Sequence, residues 1–155
     1  MTTSDGNRSD DLLEGEIALD APLSADAMLA FIGRIETPWH VRGECPRQGD
    51  AVRGPLCRIH VAPVWMPALD GIDAHSELQV LYWMHDARRD LIRLSPKGGT
   101  RRGPFALRAP TRPNPIASSV VALVGRDGPV LTVRGLDCLD GTPLLDIKPW
   151  RGVGR

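Results

Sequence analysis

Ser119-Val120-Val121-Ala122-Leu123-Val124-Gly125, Arg126-Asp127-Gly128-Pro129 and Val130-Leu131-Thr132-Val133-Arg134-Gly135 decide the fold class. Two runs rich in aliphatic and β-branched residues flank an Asp-Gly-Pro turn, which is the pattern of a β-hairpin. Working outward, Glu77 to His85 carries aromatic and branched residues on both faces, as a central strand does. Met28 to Thr37 ends in alternating apolar and polar residues, and Pro55 to Val61 is a further strand candidate. Asp90 to Leu94 continues after a short polar break, and Leu144 to Lys148 is a final short strand. A short helix around residues 10–18 is possible, and the rest of the chain shows hardly a helix of three turns. Seven or so short strands at near-regular spacing predict an all-β fold, a single small antiparallel β-barrel with few short helices.

The 155 residues suit one domain with a real core, and 42% hydrophobic and 25% charged content are ordinary for a globular protein. Residues 1–26 read as a flexible acidic tail and 27–155 as the barrel domain. The formal net charge of zero hides an uneven distribution. Residues 1–20 hold Asp5, Asp10, Asp11, Glu14, Glu16 and Asp20 against Arg8 alone. Residues 86–112 hold Arg88, Arg89, Arg93, Lys97, Arg101, Arg102, Arg108 and Arg112 against Asp86 and Asp90. A basic stripe of that kind suits a phosphate-bearing partner. Cys45, Cys57 and Cys138 are odd in number and form no CxxC pair, which suits a reducing compartment. No apolar run reaches the ~18 residues of a membrane span, and no basic-then-apolar signal opens the chain. A cytoplasmic location is the expectation.

Two stretches stand out as carriers of chemistry. In Arg108-Ala109-Pro110-Thr111-Arg112-Pro113-Asn114-Pro115-Ile116, three prolines fix φ and remove three backbone donors. The result is a stiff loop presenting two guanidiniums and an amide, with little freedom left to lose on binding. In Leu136-Asp137-Cys138-Leu139-Asp140-Gly141-Thr142-Pro143-Leu144-Leu145-Asp146-Ile147-Lys148-Pro149-Trp150, three carboxylates sit among apolar neighbours and need partners. Arg108, Arg112 and Lys148 are the candidates. Asp140-Gly141 also reads as a plain tight turn. There is no glycine-rich dinucleotide fingerprint, P-loop, HExxH or GxSxG. The four histidines are scattered, so no metal site is expected, and the four tryptophans suit core and rim packing.

Together these two stretches resemble the paired signature of the TsaA-like (TrmO) family. Ile32-Gly33-Arg34-Ile35 and Pro46-Arg47-Gln48 precede them in the matching order, and the resemblance covers residues 31–150. It implies a single β-barrel that binds S-adenosylmethionine without a Rossmann domain and methylates N6 of threonylcarbamoyladenosine beside the tRNA anticodon. Position by position, it implies cofactor contacts at Pro46, Arg47, Gln48, His85, Asp86, Arg108, Asp140, Gly141, Thr142 and Pro143. It further implies a homodimer with the cofactor pocket near the subunit contact. A carboxylate such as Asp140 favours the cationic sulfonium, while backbone amides and Gln48 hold the two ends of the molecule. His85 or Asp146 serves as proton acceptor, and Arg112, Asn114 and Lys148 serve the substrate. A methyltransferase acting on a non-tRNA substrate is one alternative, a non-catalytic module sensing S-adenosylmethionine or a nucleotide is the alternative from another class, and a metal-binding barrel is a third.

Overall fold

The structure, a computed structural model, describes residues 12–96 and 99–152. Two compact units divide the chain, one drawn from Ala27–His85 and Ile116–Arg155, the other from Met1–Asp26 and Asp86–Pro115.

The first unit is the barrel. Its strands are β2 (Gly33–Glu36), β3 (Cys57–Val61), β4 (Glu77–Trp83), β6 (Ile116–Asp127), β7 (Val130–Arg134) and β8 (Thr142–Pro149). They close in the order β2-β3-β7-β6-β4-β8, every pair antiparallel. Strand period two places Cys57, Ile59 and Val61 inside, with Leu78, Val80 and Tyr82 from β4 and Leu131 and Val133 from β7. Ile35, Val121, Leu136, Cys138 and Leu144 complete this core. A fully buried aliphatic side chain contributes about 1.5–3 kcal/mol, so closing the sheet around these residues is the dominant favourable term. Register shifts at Leu81/Tyr82, between β4 and β8, and at Leu123/Gly125, between β6 and β7, bend the sheet as closure requires.

In the second unit β1 (Ile17–Ala18) pairs with β5 (Leu91–Arg93). Both observations correct the sequence reading. The strand expected at 90–94 does not continue the barrel, and the 10–18 stretch contributes a strand, not a helix, over its described residues. A strand of three residues between polar flanks has too little apolar surface for an interior place in a sheet.

Other boundaries shift too. The strand expected from Ser119 begins at Ile116, directly after the last proline of the loop, and the one expected from Leu144 begins at Thr142. Gly33, not Met28, opens β2, because Met28, Leu29 and Phe31 face solvent. Among the described residues the helices are all short 3-10 turns, the longest Pro63–Leu69.

One end of the barrel collects the C-termini of β2, β4 and β7 and the N-termini of β3, β6 and β8. Residues 135–141 cross that end from β7 to β8. Gly135 has φ +115°, which an L side chain rarely adopts, and its carbonyl oxygen lies where a Cβ on Gly49 would stand. The loop carrying Pro46, Arg47 and Gln48 is thereby pressed against the start of the crossing. Gly49→Ala should destabilise the protein by about 1–3 kcal/mol through this overlap. Gly43→Ala, with open space around the added Cβ, should stay within about 0.5 kcal/mol. Equal melting temperatures for the two variants would contradict the seating of the loop.

Candidate functional site

The crossing at the barrel end is tied down residue by residue. Asp140 donates its amide to Trp39 O at 2.7 Å and Gly141 donates to Ile35 O at 2.8 Å. Leu139 O accepts both the Thr142 amide, at 3.3 Å, and the Thr142 hydroxyl, at 2.6 Å. Asp140 Oδ1 accepts the Thr37 amide at 3.1 Å, and the Thr37 hydroxyl donates to Cys138 O at 2.8 Å. Gly141 takes φ +79°, the left-handed conformation that an Asp-Gly turn supplies without strain.

These bonds have a chemical consequence. The amides of Asp140, Gly141 and Thr142 are all spent on protein carbonyls, and Pro143 has none. What the turn offers a ligand is oxygen: carbonyl groups and Asp140 Oδ2, which lies 3.6 Å from the exposed His40 Nδ1. The turn is built for a cation or a donor group, not for a phosphate. Backbone amides that hold the ends of a ligand are therefore to be sought outside this turn. The donors at this end are Arg47 and Gln48, both exposed on the loop seated at Gly135. His85 is exposed two residues beyond β4, its amide turned back to Trp83 O.

The barrel unit therefore brings Pro46, Arg47, Gln48, His85, Asp140, Gly141, Thr142 and Pro143 to one end. Asp146 and Lys148 are elsewhere, opposite Leu81 and Gln79 on the outer face of β8. Four residues of extended chain, about 13 Å, separate Thr142 from Asp146. Asp146 Oδ2 is ion-paired with Lys148 Nζ, and its Oδ1 accepts the Ile147 amide.

Asp86, Arg108, Arg112 and Asn114 belong to the other unit. There the Arg112 guanidinium donates to Leu107 O and Ala109 O, each at 2.9 Å, and Arg89 Nε donates to Pro113 O at 2.6 Å. The proline loop is thus pinned by two arginines as well as by its rings. Arg88 is paired with Asp90, so part of the basic stripe is internal scaffolding. Arg93, Arg102, Arg108 and Asn114 are exposed.

Sequence reasoning missed one cluster and the partners that the barrel itself supplies to two carboxylates. Asp140 is held by Thr37 and His40, while Asp137 accepts the Tyr82 hydroxyl at 2.6 Å. Tyr82 Oη in turn contacts Ser119 Oγ at 2.7 Å. A Tyr on the buried face of a strand always needs a partner, and that was the available signal. A cleft of about 570 Å³ on the barrel, lined by Glu36, Pro38, Leu56, Cys57 and Arg58 among others, contains none of the sequence-predicted site residues. Among the described residues no three His, Cys, Asp or Glu side chains gather as a metal set.

Burial pushes the Cys57 thiol up to about 11 and the Cys138 thiol up to about 12, and it raises Tyr82 as well. These thiols stay protonated and carry no nucleophilic role at neutral pH. In the unfolded chain they ionise near 9, so the unfolded state binds fewer protons above that pH. Their stabilising contribution is complete below pH 9 and is lost as pH rises towards 11 and 12. Denaturant midpoints should fall across that window, and a Cys57→Ala/Cys138→Ala variant should fall less steeply.

Residues 34–152 match the family model described as the tRNA-methyltransferase O N-terminal domain. Over 145 residues the chain is 49% identical to a probable S-adenosyl-L-methionine-binding protein, VirR, of Rhizobium radiobacter, covering 93% of this chain and 82% of that one. It is 36% identical over 130 residues to the tRNA (adenine(37)-N6)-methyltransferase of Escherichia coli K12, covering 77% of this chain and 55% of the relative. Crystal structures of TrmO superpose with TM-scores of 0.70 at 32% identity and, for the Pseudomonas aeruginosa protein, 0.67 at 31%. Each covers 84% of this chain, which spans 63% and 61% of those chains. The closed six-stranded barrel, the ordered Pro-Arg-Gln and Asp-Gly-Thr-Pro segments and these matches lead to one conclusion: the chain belongs to the tRNA-methyltransferase O N-terminal-domain family.

Proposed function

We propose that this protein binds S-adenosylmethionine at the crossed end of its barrel and transfers the methyl group to tRNA, as a methyltransferase of the TrmO type. The acceptor in this reading is N6 of threonylcarbamoyladenosine beside the anticodon. The observation that carries it is the Asp140–Thr142 turn, whose three amides are consumed internally and whose remaining groups are oxygens. Such a set fits a sulfonium or an ammonium group and repels a triphosphate. Family membership and the name of the Escherichia coli relative support the substrate class.

The residues divide the work by their chemistry. Asp140 and the neighbouring carbonyl groups would lie against positive charge. Gln48 and Arg47 would supply donors to the polar ends of the ligand, and Pro46 a rigid apolar edge. When bound, the sulfonium supplies an electrophilic methyl group for in-line displacement by nitrogen, a reaction in which alignment provides much of the rate. His85, exposed beside the end of β4, is placed by this reading as acceptor of the proton that the nitrogen loses. Asp146 is the second candidate for that task, and its pairing with Lys148 on the outer face argues for His85 first. Arg108 and Asp86 are assigned to the cofactor by family resemblance, and Arg112, Asn114 and Lys148 to the RNA. Of these, Arg108 and Asn114 are exposed for such contacts, whereas Arg112 already serves its own loop. Domain limits at residue 26/27 and a cytoplasmic location complete the reading.

Self-association is part of the same proposal. Met28, Leu29 and Phe31 are at least half exposed, and Val64, Trp65 and Met66 are at least 41% exposed. The two stretches adjoin through the Ala62 amide, which donates to Ile32 O at 2.8 Å. An apolar patch of this kind is suited to a second copy of the chain. It flanks the start of β2 and the end of β3, at the barrel end opposite the crossing and not beside the cofactor turn. Light scattering should give twice the 16.9 kDa chain mass, and a Phe31→Glu/Trp65→Glu variant should shift it to a single chain.

Titration calorimetry with S-adenosylmethionine should show sub-millimolar binding. Asp140→Ala and Arg108→Ala should each weaken it by about 1–3 kcal/mol if both make charge-assisted contacts. Asp140→Ala should also lower the melting temperature, since Thr37 loses its acceptor. Nucleoside mass spectrometry of tRNA, from cells with and without the protein, should show the N6-methylated nucleoside only in the former. An unchanged profile together with intact cofactor binding would favour a sensor over an enzyme.

A further inference from the structure

The Tyr82, Ser119 and Asp137 side chains form a partly buried polar cluster at the mouth of the barrel, and nothing in the family signature accounts for it. Tyr82 is 2% exposed, yet its hydroxyl makes two short hydrogen bonds. A buried phenol has one proton to give. It goes to Asp137 Oδ1, so Ser119 must be the donor to Tyr82. Burial, reinforced by the charge on Asp137, raises the Tyr82 pKa, which keeps the hydroxyl a donor at every physiological pH.

The position of Asp137 gives the cluster its meaning. It lies midway along the crossing, two residues after Gly135 and three before Asp140. Leu136 and Cys138 on either side are each 1% exposed, so the backbone there is held in the barrel mouth. From the β2 wall the crossing is fastened by Thr37, Trp39 and Ile35. From the β4 and β6 wall the fastening is Tyr82 with Ser119. The other ligand segment is seated on the same crossing, because Gly49, directly after Gln48, packs against the Gly135 carbonyl, two residues before Asp137. The carboxylate oriented from inside the barrel therefore lies on the stretch of chain that joins the seat of the Pro46–Gln48 loop to the Asp140–Pro143 turn, and its charge adds to the burial that raises the Cys45 thiol.

We infer that Tyr82 is a positioning residue for the ligand-binding turn: its hydroxyl orients Asp137 and so aligns Asp140 to Pro143 with the loop at Pro46–Gln48. The inference rests on the cofactor reading for its functional consequence. Its structural content, the alignment of the turn, stands apart from that reading and is measurable without a ligand.

Tyr82→Phe keeps the ring and removes the hydroxyl. Amide hydrogen exchange should quicken at Asp140 and Gly141 by about tenfold, while β3 and β7 amides keep their protection. Affinity for S-adenosylmethionine should fall by about tenfold in the same variant. Asp137→Asn, which retains an acceptor oxygen, should preserve most of both properties, and Asp137→Ala should lose them as Tyr82→Phe does. A Tyr82→Phe/Asp137→Ala double variant should be little worse than either single change. Unchanged exchange at Asp140 and Gly141, with only a lowered melting temperature, would reduce Tyr82 to core packing and overturn the inference. Should the parent protein fail to bind S-adenosylmethionine, the cofactor reading falls, and the exchange rates still decide the role of Tyr82.

Discussion

The hydrogen bond from the Thr37 amide to Asp140 is the constraint on which the rest depends. It joins the end of β2 to the turn that opens β8, the two strands between which the barrel closes. Ile35 pairs with Thr142 directly beside it, and the Thr37 hydroxyl holds Cys138 one turn earlier. Without the β2–β8 ladder that it flanks, the six strands would be a sheet with two open edges, a state that exposes unpaired backbone and invites misassociation. Beside it, the amides of Asp140 and Gly141 are donated to Trp39 O and Ile35 O, so the backbone donors of the turn are consumed by protein. Closure and the chemistry that the turn presents thus have a shared cause. The same bonds that seal the barrel strip the turn of donors and leave oxygens facing outward.

At this end of the barrel a half-buried carboxylate meets a buried phenol. A charge partly removed from water carries a desolvation cost unless it is hydrogen-bonded. Asp137 avoids the cost by accepting from Tyr82, and Tyr82 satisfies its second site through Ser119. The cluster gives little net stability compared with an apolar replacement, because paired buried polar groups roughly offset their own desolvation. Its value lies in direction. An apolar core holds a loop in place by volume, whereas a hydrogen bond holds it at an angle.

The second unit shows a different economy. Its proline loop is stiffened by ring geometry and again by Arg89 and Arg112, which donate to loop carbonyls. A guanidinium spent on the backbone is unavailable to a phosphate, so the eight cations of the basic stripe overstate what reaches a partner. Among the described residues Arg93, Arg101, Arg102 and Arg108 are the exposed cations of that stripe, Arg101 lying over Gly15 and 3.7 Å from Glu14.

Period-two alternation, the Asp-Gly-Pro hairpin and the absence of long helical patterns were enough to identify an antiparallel barrel, because burial on one face of a strand is written locally. The Pro46–Gln48 and Asp140–Pro143 segments were legible for the same reason, as short runs whose residue types imply their turns. Partner choice was not. Which donor satisfies Asp137 or Asp140 depends on strands brought together from distant parts of the chain, with Thr37 and Asp140 separated by 103 positions and Tyr82 and Asp137 by 55. The place of the 90–94 strand had the same dependence, since pairing with Ile17–Ala18 is decided by tertiary register and not by propensity. Local chemistry told what each segment is, and closure of the sheet alone told which groups remained free for a ligand.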